Sequence, residues 1–171
     1  MYALYYAGSL RYYRPIRGKI FPIYVGSAKP QNAYASRAQD QGEALAGRLA
    51  DHLKSIRVVE SYRYGNLRVS DFKFRYLCVR SGWELAAEQY LIHRFQPVWN
   101  VICSGIGKHG DESKTRQNKR SIWDTIHRGR PWTLTRATKP NRLSSKEIIA
   151  KISAHFRNSR PERLNIRDVL S

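Results

Sequence analysis

Ala87-Glu88-Gln89-Tyr90-Leu91-Ile92-His93-Arg94-Phe95-Gln96-Pro97-Val98-Trp99-Asn100 is the stretch on which the reading of this chain turns. Leu85, Leu91, Ile92 and Phe95 recur at helical spacing and predict a helix over about 83–95, which Pro97 stops. Glu88 follows Leu85 by three residues and precedes Ile92 by four, so a carboxylate occupies the apolar stripe. An unpaired buried carboxylate is costly, and the slot demands either a cationic partner or a metal ion. From this helix alone both readings stand, a structural ion pair with one of the many arginines or a functional site.

Upstream, Tyr2-Ala3-Leu4-Tyr5-Tyr6-Ala7 is aromatic, β-prone and ended by Gly8-Ser9, and Phe21-Pro22-Ile23-Tyr24-Val25-Gly26 is a second such run. Together they predict an N-terminal hairpin. The intervening Arg11 to Lys19 carries four basic residues with Pro15 and Gly18 and reads as a solvated loop or a phosphate contact. Leu45, Leu49 and Leu53 predict a helix over 43–56, on which Arg48 and His52 lie one turn apart and face the same way. Alternation in Phe72-Lys73-Phe74-Arg75-Tyr76-Leu77-Cys78-Val79 predicts a third strand, with Cys78 a small buried hydrophobe.

Downstream, Gly105 to Arg120 is polar, glycine-containing and without period, and is expected to be a mobile loop facing a polyanion. It has no GxxxxGK[ST] pattern, so nucleotide binding is a weak reading. Ser121 is placed to cap a short helix carrying Trp123 and His127, whose interleaving with arginines suits a nucleic-acid surface, although a lone tryptophan is more often core. Ser144-Ser145-Lys146-Glu147 has capping-box spacing ahead of a helix with Ile148, Ile149, Ile152 and Phe156 on one face. Arg160-Pro161 breaks it, and Leu164, Ile166, Val169 and Leu170 return to the body or meet a second subunit.

Composition narrows the function. The 171 residues are 42% hydrophobic and 12% aromatic, too rich in core formers for a disordered chain, and are expected to form a single domain over 1–171. Lys and Arg number 31 against 13 Asp and Glu, a net charge of +18, and the excess is spread along the chain rather than confined to a tail. A nucleic acid is the partner that such a surface suits. No apolar run approaches the roughly 20 residues of a spanning helix, and no secretory signal opens the chain, so the expected location is cytoplasmic. Two cysteines give neither a disulfide framework nor a CxxC pair. There is no GxSxG and no HExxH, which removes serine and zinc hydrolases. Strand tyrosines, an Arg and a His on one helical face and a lone Glu suit metal-assisted phosphodiester cleavage.

Taken in order, Met1-Tyr2 through Tyr6, Ile23-Tyr24-Val25-Gly26, Arg48-x-x-x-His52 and Glu88 through Asn100 resemble the motifs of the GIY-YIG nuclease superfamily. The Arg-x-x-x-His helix resembles its type II restriction endonuclease branch. Gly105-Ile106-Gly107-x-His109 and Ser121-x-Trp123-Asp124-Thr125-x-His127-x-Gly129-Arg130 extend the likeness towards the branch that cuts CCGCGG. The resemblance implies an α+β fold of α/β/α-type layers, a small, mainly antiparallel three-stranded sheet flanked by helices. Its core would span about 1–103, with a DNA-facing loop and helical extension over about 104–171. It implies a Mg²⁺ (or Mn²⁺) endonuclease leaving 5′-phosphate and 3′-hydroxyl ends, with Glu88 on the metal, Arg48 on the phosphate, and His52, Tyr2 and Tyr24 around the attacking water. Asn100 would lock the strand and helix geometry by hydrogen bonding. Arg116, Arg120, Arg128 and Arg130 are placed to read guanines, and a homodimer and a cognate methyltransferase are the implied partners. A DNA-binding protein without catalysis is the alternative. One departure is visible: Met1 stands directly before Tyr2 where the family motif has a glycine ahead of an Ile/Val-Tyr pair, which implies a weakened first strand.

Overall fold

Tyr2-Ala3-Leu4-Tyr5-Tyr6 forms the central strand β1 (Tyr2–Tyr6), whose alternation of buried and half-buried side chains follows the two-residue period of the pleat. The structure is a computed structural model and describes residues 1–29, 44–80, 82–106, 119–135 and 138–159. Strands β2 (Tyr24–Gly26) and β3 (Phe72–Tyr76) flank β1, both antiparallel, in the order β2-β1-β3. The registers are Leu4 opposite Tyr24 on one side and opposite Phe74 on the other. β1 begins at Tyr2, directly after Met1. Met1 is buried, its ammonium donates to the Leu77 carbonyl at 3.1 Å, and the Leu77 N–H donates to the Met1 carbonyl at 3.0 Å.

The fold is the expected α+β arrangement, with helices α1 (Ala44–Glu60), α2 (Glu84–Phe95), α3 (Val98–Val101), α4 (Ile122–Ile126), α5 (Pro131–Leu134) and α6 (Ser145–Ser159) around this sheet. Several local readings change. The Arg11–Ile16 link is a 3₁₀ helix with Tyr13 and Ile16 buried, not a solvated loop, because its aromatic residues supply core. On α1 the buried face is His52, Ser55, Ile56 and Val59, while Leu45, Leu49 and Leu53 are only half-buried. Helix α2 buries only Glu84; Leu85 is exposed and Leu91, Ile92 and Phe95 are half-buried. β3 ends at Tyr76, three residues early, which leaves Cys78 exposed. The capping box at α6 forms, with the Ser144 N–H donating to Glu147 Oε2 at 2.7 Å and Ile148, Ile152 and Phe156 buried. Residues 107–118, with His109 and Arg116, and the segment from Arg160 onward lie outside the described residues.

Trp123 and His127 are core, not surface, and both have zero exposure. Trp123 meets Trp99 edge to face, and His127 anchors a directional polar chain. Trp99 Nε1–H can only donate, and it does so to Tyr13 Oη at 2.7 Å. The Tyr13 hydroxyl lies 2.8 Å from His127 Nε2, and because the Asn66 amide nitrogen is committed to the Ile126 carbonyl, Asn66 Oδ1 must accept and the imidazole carries a proton on Nδ1. That N–H donates to Asn66 Oδ1 at 2.8 Å, and the Asn66 amide nitrogen donates to the Ile126 carbonyl at 2.7 Å and Tyr12 Oη at 3.1 Å. The chain ties the 3₁₀ segment, α3 and α4 into one core.

Burial holds the His127 pKa down to about 3 from its ordinary 6.5. Between those values the unfolded chain binds a proton that the folded chain refuses, so stability falls as pH drops, by up to about 1.4 kcal/mol per pH unit. Urea unfolding at pH 7 and pH 5 should show this loss in the wild type. In His127→Gln that component of the pH dependence should vanish; an unchanged slope would show that another group carries it.

Candidate active site

Four elements, β1, β2, α1 and α2, bring five of the six expected side chains to one end of the sheet. Tyr2 opens β1, Tyr24 opens β2, and both point to the same face, because Leu4 opposes Tyr24 and Tyr2 opposes Gly26 in register. Over that face lies the middle of α1. His52, buried at 3% exposure, places Nε2 2.7 Å from Tyr2 Oη and sets its ring edge to face on Tyr24, with centroids 4.8 Å apart. Arg48, one turn earlier and exposed, brings its guanidinium against the Tyr2 hydroxyl. Glu88 of α2 lies close enough to Tyr24 to oppose ionisation of its phenol, and its Oε2 accepts a 2.6 Å hydrogen bond from Ser27 Oγ.

Glu88 is half-buried, and among the described residues it has a hydroxyl donor and no ion-pair partner. Among the same residues no group of three His, Cys, Asp or Glu forms a metal cluster. A single half-buried carboxylate is still a fitting donor for Mg²⁺, which takes one or two protein carboxylates and completes its shell with water and phosphate oxygens.

Burial raises both phenols above their ordinary value, and in Tyr2 it outweighs the lowering by Arg48. Neither tyrosine carries charge at neutral pH in the free protein. A buried phenolate loses more hydration than one exposed guanidinium returns.

Asn100 stands apart from the other five. Its Oδ1 accepts the Val25 N–H at 2.9 Å and its Nδ2 donates to the Val25 carbonyl at 2.8 Å. The Trp99 N–H adds a bond to the Ile23 carbonyl at 2.9 Å. Helix α3 therefore closes the open edge of β2 where another strand would otherwise pair. Gly26 has a distinct steric reason: a Cβ there would lie 2.7 Å from Tyr2 Oη and 2.9 Å from Tyr24 Cε1. Any side chain displaces the hydroxyl that His52 holds. Ser27 was not foreseen from sequence, since a serine after a glycine carries no pattern that marks it.

The four arginines assigned to base reading divide. Arg116 lies outside the described residues, Arg128 is exposed, and Arg120 is half-buried with Nε donating to the Thr133 carbonyl at 2.9 Å. Arg130 is a correction. It is 5% exposed, donates to the Gly105 and Ile106 carbonyls and to Ser55 Oγ, pairs with Asp124 at 3.4 Å, and covers the Trp123 ring at 4.4 Å. A guanidinium held from so many sides pins the segment after α3 to α1 and α4, and is not presented to a groove.

This geometry has a counterpart among known proteins. The chain matches the family model described as the Eco29kI GIY-YIG domain over residues 1–156. It belongs to that family, a GIY-YIG restriction endonuclease domain. No curated protein matches the chain. No described helix is long and apolar enough to cross a membrane.

Asn100→Ala leaves the Val25 N–H and carbonyl without partners at a buried residue. Each such orphan costs about 1–3 kcal/mol. Denaturant unfolding should register a loss in that range or above it, and a loss below about 0.5 kcal/mol would mean that water replaces the amide at no cost.

Proposed function

We propose that the protein is a site-specific type II restriction endonuclease that hydrolyses double-stranded DNA at a short G·C-rich palindrome such as CCGCGG, leaving 5′-phosphate and 3′-hydroxyl ends. The observation that carries this reading is the 2.7 Å Tyr2–His52 contact, set beside Tyr24, Arg48 and Glu88 in the chain order of the family motifs. On this reading the general base is a relay. With the proton of His52 on Nδ1, the Tyr2 hydroxyl gives its proton to His52 Nε2 as it takes one from the attacking water. The new P–O bond forms as the P–O3′ bond breaks, and a solvent proton completes the 3′ hydroxyl. Tyr2 thus need never stand as a free phenolate, which agrees with the raised pKa of its buried phenol.

Arg48, exposed at the mouth of the cluster, neutralises charge building on the non-bridging oxygens, a role suited to its permanent charge and forked donors. Glu88 would hold a divalent ion, Mg²⁺ or Mn²⁺, and that ion supplies Lewis-acid stabilisation of the phosphate and the leaving oxygen. Ser27 restrains the Glu88 carboxylate, and Asn100 holds β2 so that Tyr24 keeps its place. Of the four arginines, Arg116, Arg120 and Arg128 remain the candidates for base contacts. A palindromic site calls for a two-fold homodimer with one cut per subunit, and for a cognate DNA methyltransferase that protects the host sequence.

Incubation with unmethylated plasmid carrying CCGCGG should give discrete double-strand breaks with Mg²⁺ and none with EDTA, and sequencing of the ends reads the site. Glu88→Ala should lower cleavage by at least about a thousandfold while leaving DNA affinity in Ca²⁺ within a few-fold. Full activity in that variant removes Glu88 from the metal. Strong retardation of DNA that is never cut under any divalent ion supports the DNA-binding reading without catalysis.

A further inference from the structure

The sheet face that carries Tyr2 and Tyr24 does not end at β1. Register pairing places Tyr76 beside Tyr2 and Phe74 beside Leu4, so both β3 rings lie on the same face, with Tyr76 one strand spacing from the Tyr2 hydroxyl cluster. Tyr2 and Leu4 are buried, yet Phe74 is 54% and Tyr76 62% exposed. The cover that His52 and α1 give to Tyr2 and Tyr24 therefore does not extend to β3. Two aromatic rings stand open at the rim of the site. On the reverse face of the same strand Lys73 and Arg75 are exposed, and the Arg75 guanidinium lies over Tyr5 at 5.2 Å.

Two occupants compete for an open aromatic edge strand. A second copy pairing antiparallel around Phe74 sets Lys73 of one molecule against Arg75 of the other, like charges directly opposite, between chains of net charge +18 each. The same charges attract a polyanion. We infer that the Phe74–Tyr76 shelf is a DNA-contact surface on which the nucleotides next to the cleaved phosphodiester rest, the rings packing against a base or sugar. The inference rests on the endonuclease reading and adds to it a positioning element outside the motifs. Its stacking is indifferent to base identity, because every base presents a π face. The shelf therefore sets the depth of the scissile phosphate above Tyr2 rather than the sequence read.

Fluorescence anisotropy with a labelled CCGCGG duplex in Ca²⁺, and with a scrambled duplex, tests this on the full chain. Phe74→Ala/Tyr76→Ala should weaken binding of both duplexes by roughly tenfold or more, with the slope of affinity against salt unchanged, since no phosphate contact is lost. Tyr76→Phe, which keeps the ring, should bind as the wild type does. Circular dichroism and sedimentation accompany each variant. Unchanged affinity in a folded double variant overturns the shelf, as does a weakening that coincides with a dimer becoming a monomer, which would assign the strand to a second copy. Failure of the wild type to bind either duplex overturns the endonuclease reading and the shelf together.

Discussion

Everything at the functional end of this molecule depends on how a three-residue strand is held. β2 has only Tyr24, Val25 and Gly26 in its ladder with β1, too few pairs to fix its own position. Its other edge is closed by one amide side chain, Asn100, which satisfies both backbone groups of Val25, and by the Trp99 N–H on Ile23. A helix end thus stands in for a fourth strand. Had β2 gained a real neighbour, the face bearing Tyr24 would be one strand wider.

Trp99 links this clamp to the core. The same residue whose N–H holds Ile23 sends its indole N–H into the chain through Tyr13, His127 and Asn66. The motif segment and the helices after it are therefore one packed body, and Arg130 adds a second tie from α5's leading edge to α1 through Ser55. Buried polar groups of this kind are costly unless every partner is in place, which makes them poor sources of raw stability and good sources of a single geometry. Here the geometry they protect is the separation of a few ångström between Tyr2, Tyr24 and His52.

The α2 helix shows the opposite economy. It buries only Glu84 and leaves Leu85, Tyr90 and the preceding Trp83 exposed, although its apolar residues recur at core spacing. It is joined to β2 and its approach by Phe95, edge to face on Phe21 at 6.3 Å, and by the bond from Ser27 to Glu88. A carboxylate tethered at the margin of the core can reach solvent and substrate, whereas one fully inserted among leucines would be locked in an ion pair.

How much was legible from the residues follows from the range of each interaction. The strands, the helices at 43–56 and 83–95, the cap at Ser121 and the capping box at Ser144 are local in sequence, so periodicity and side-chain chemistry show them directly. The order of Tyr2, Tyr24, Arg48, His52, Glu88 and Asn100 is also written in the chain, and with it the family. What the chain does not write is which way a helix faces once it meets its neighbours. The apolar stripe of α2 is half-buried or exposed, Trp123 and His127, whose residue types suit a nucleic-acid surface or a core, lie in the core, and Arg130, a candidate base contact by position, is a buried brace. Each of these is decided by residues far apart in sequence, such as Asn66 with His127 and Ser55 with Arg130, where long-range packing outweighs local pattern. The sequence by itself determined the parts and the chemistry they carry; only the tertiary structure decided which arginine is buried, which aromatic rings stay open to a partner, and that Tyr2 and His52 meet.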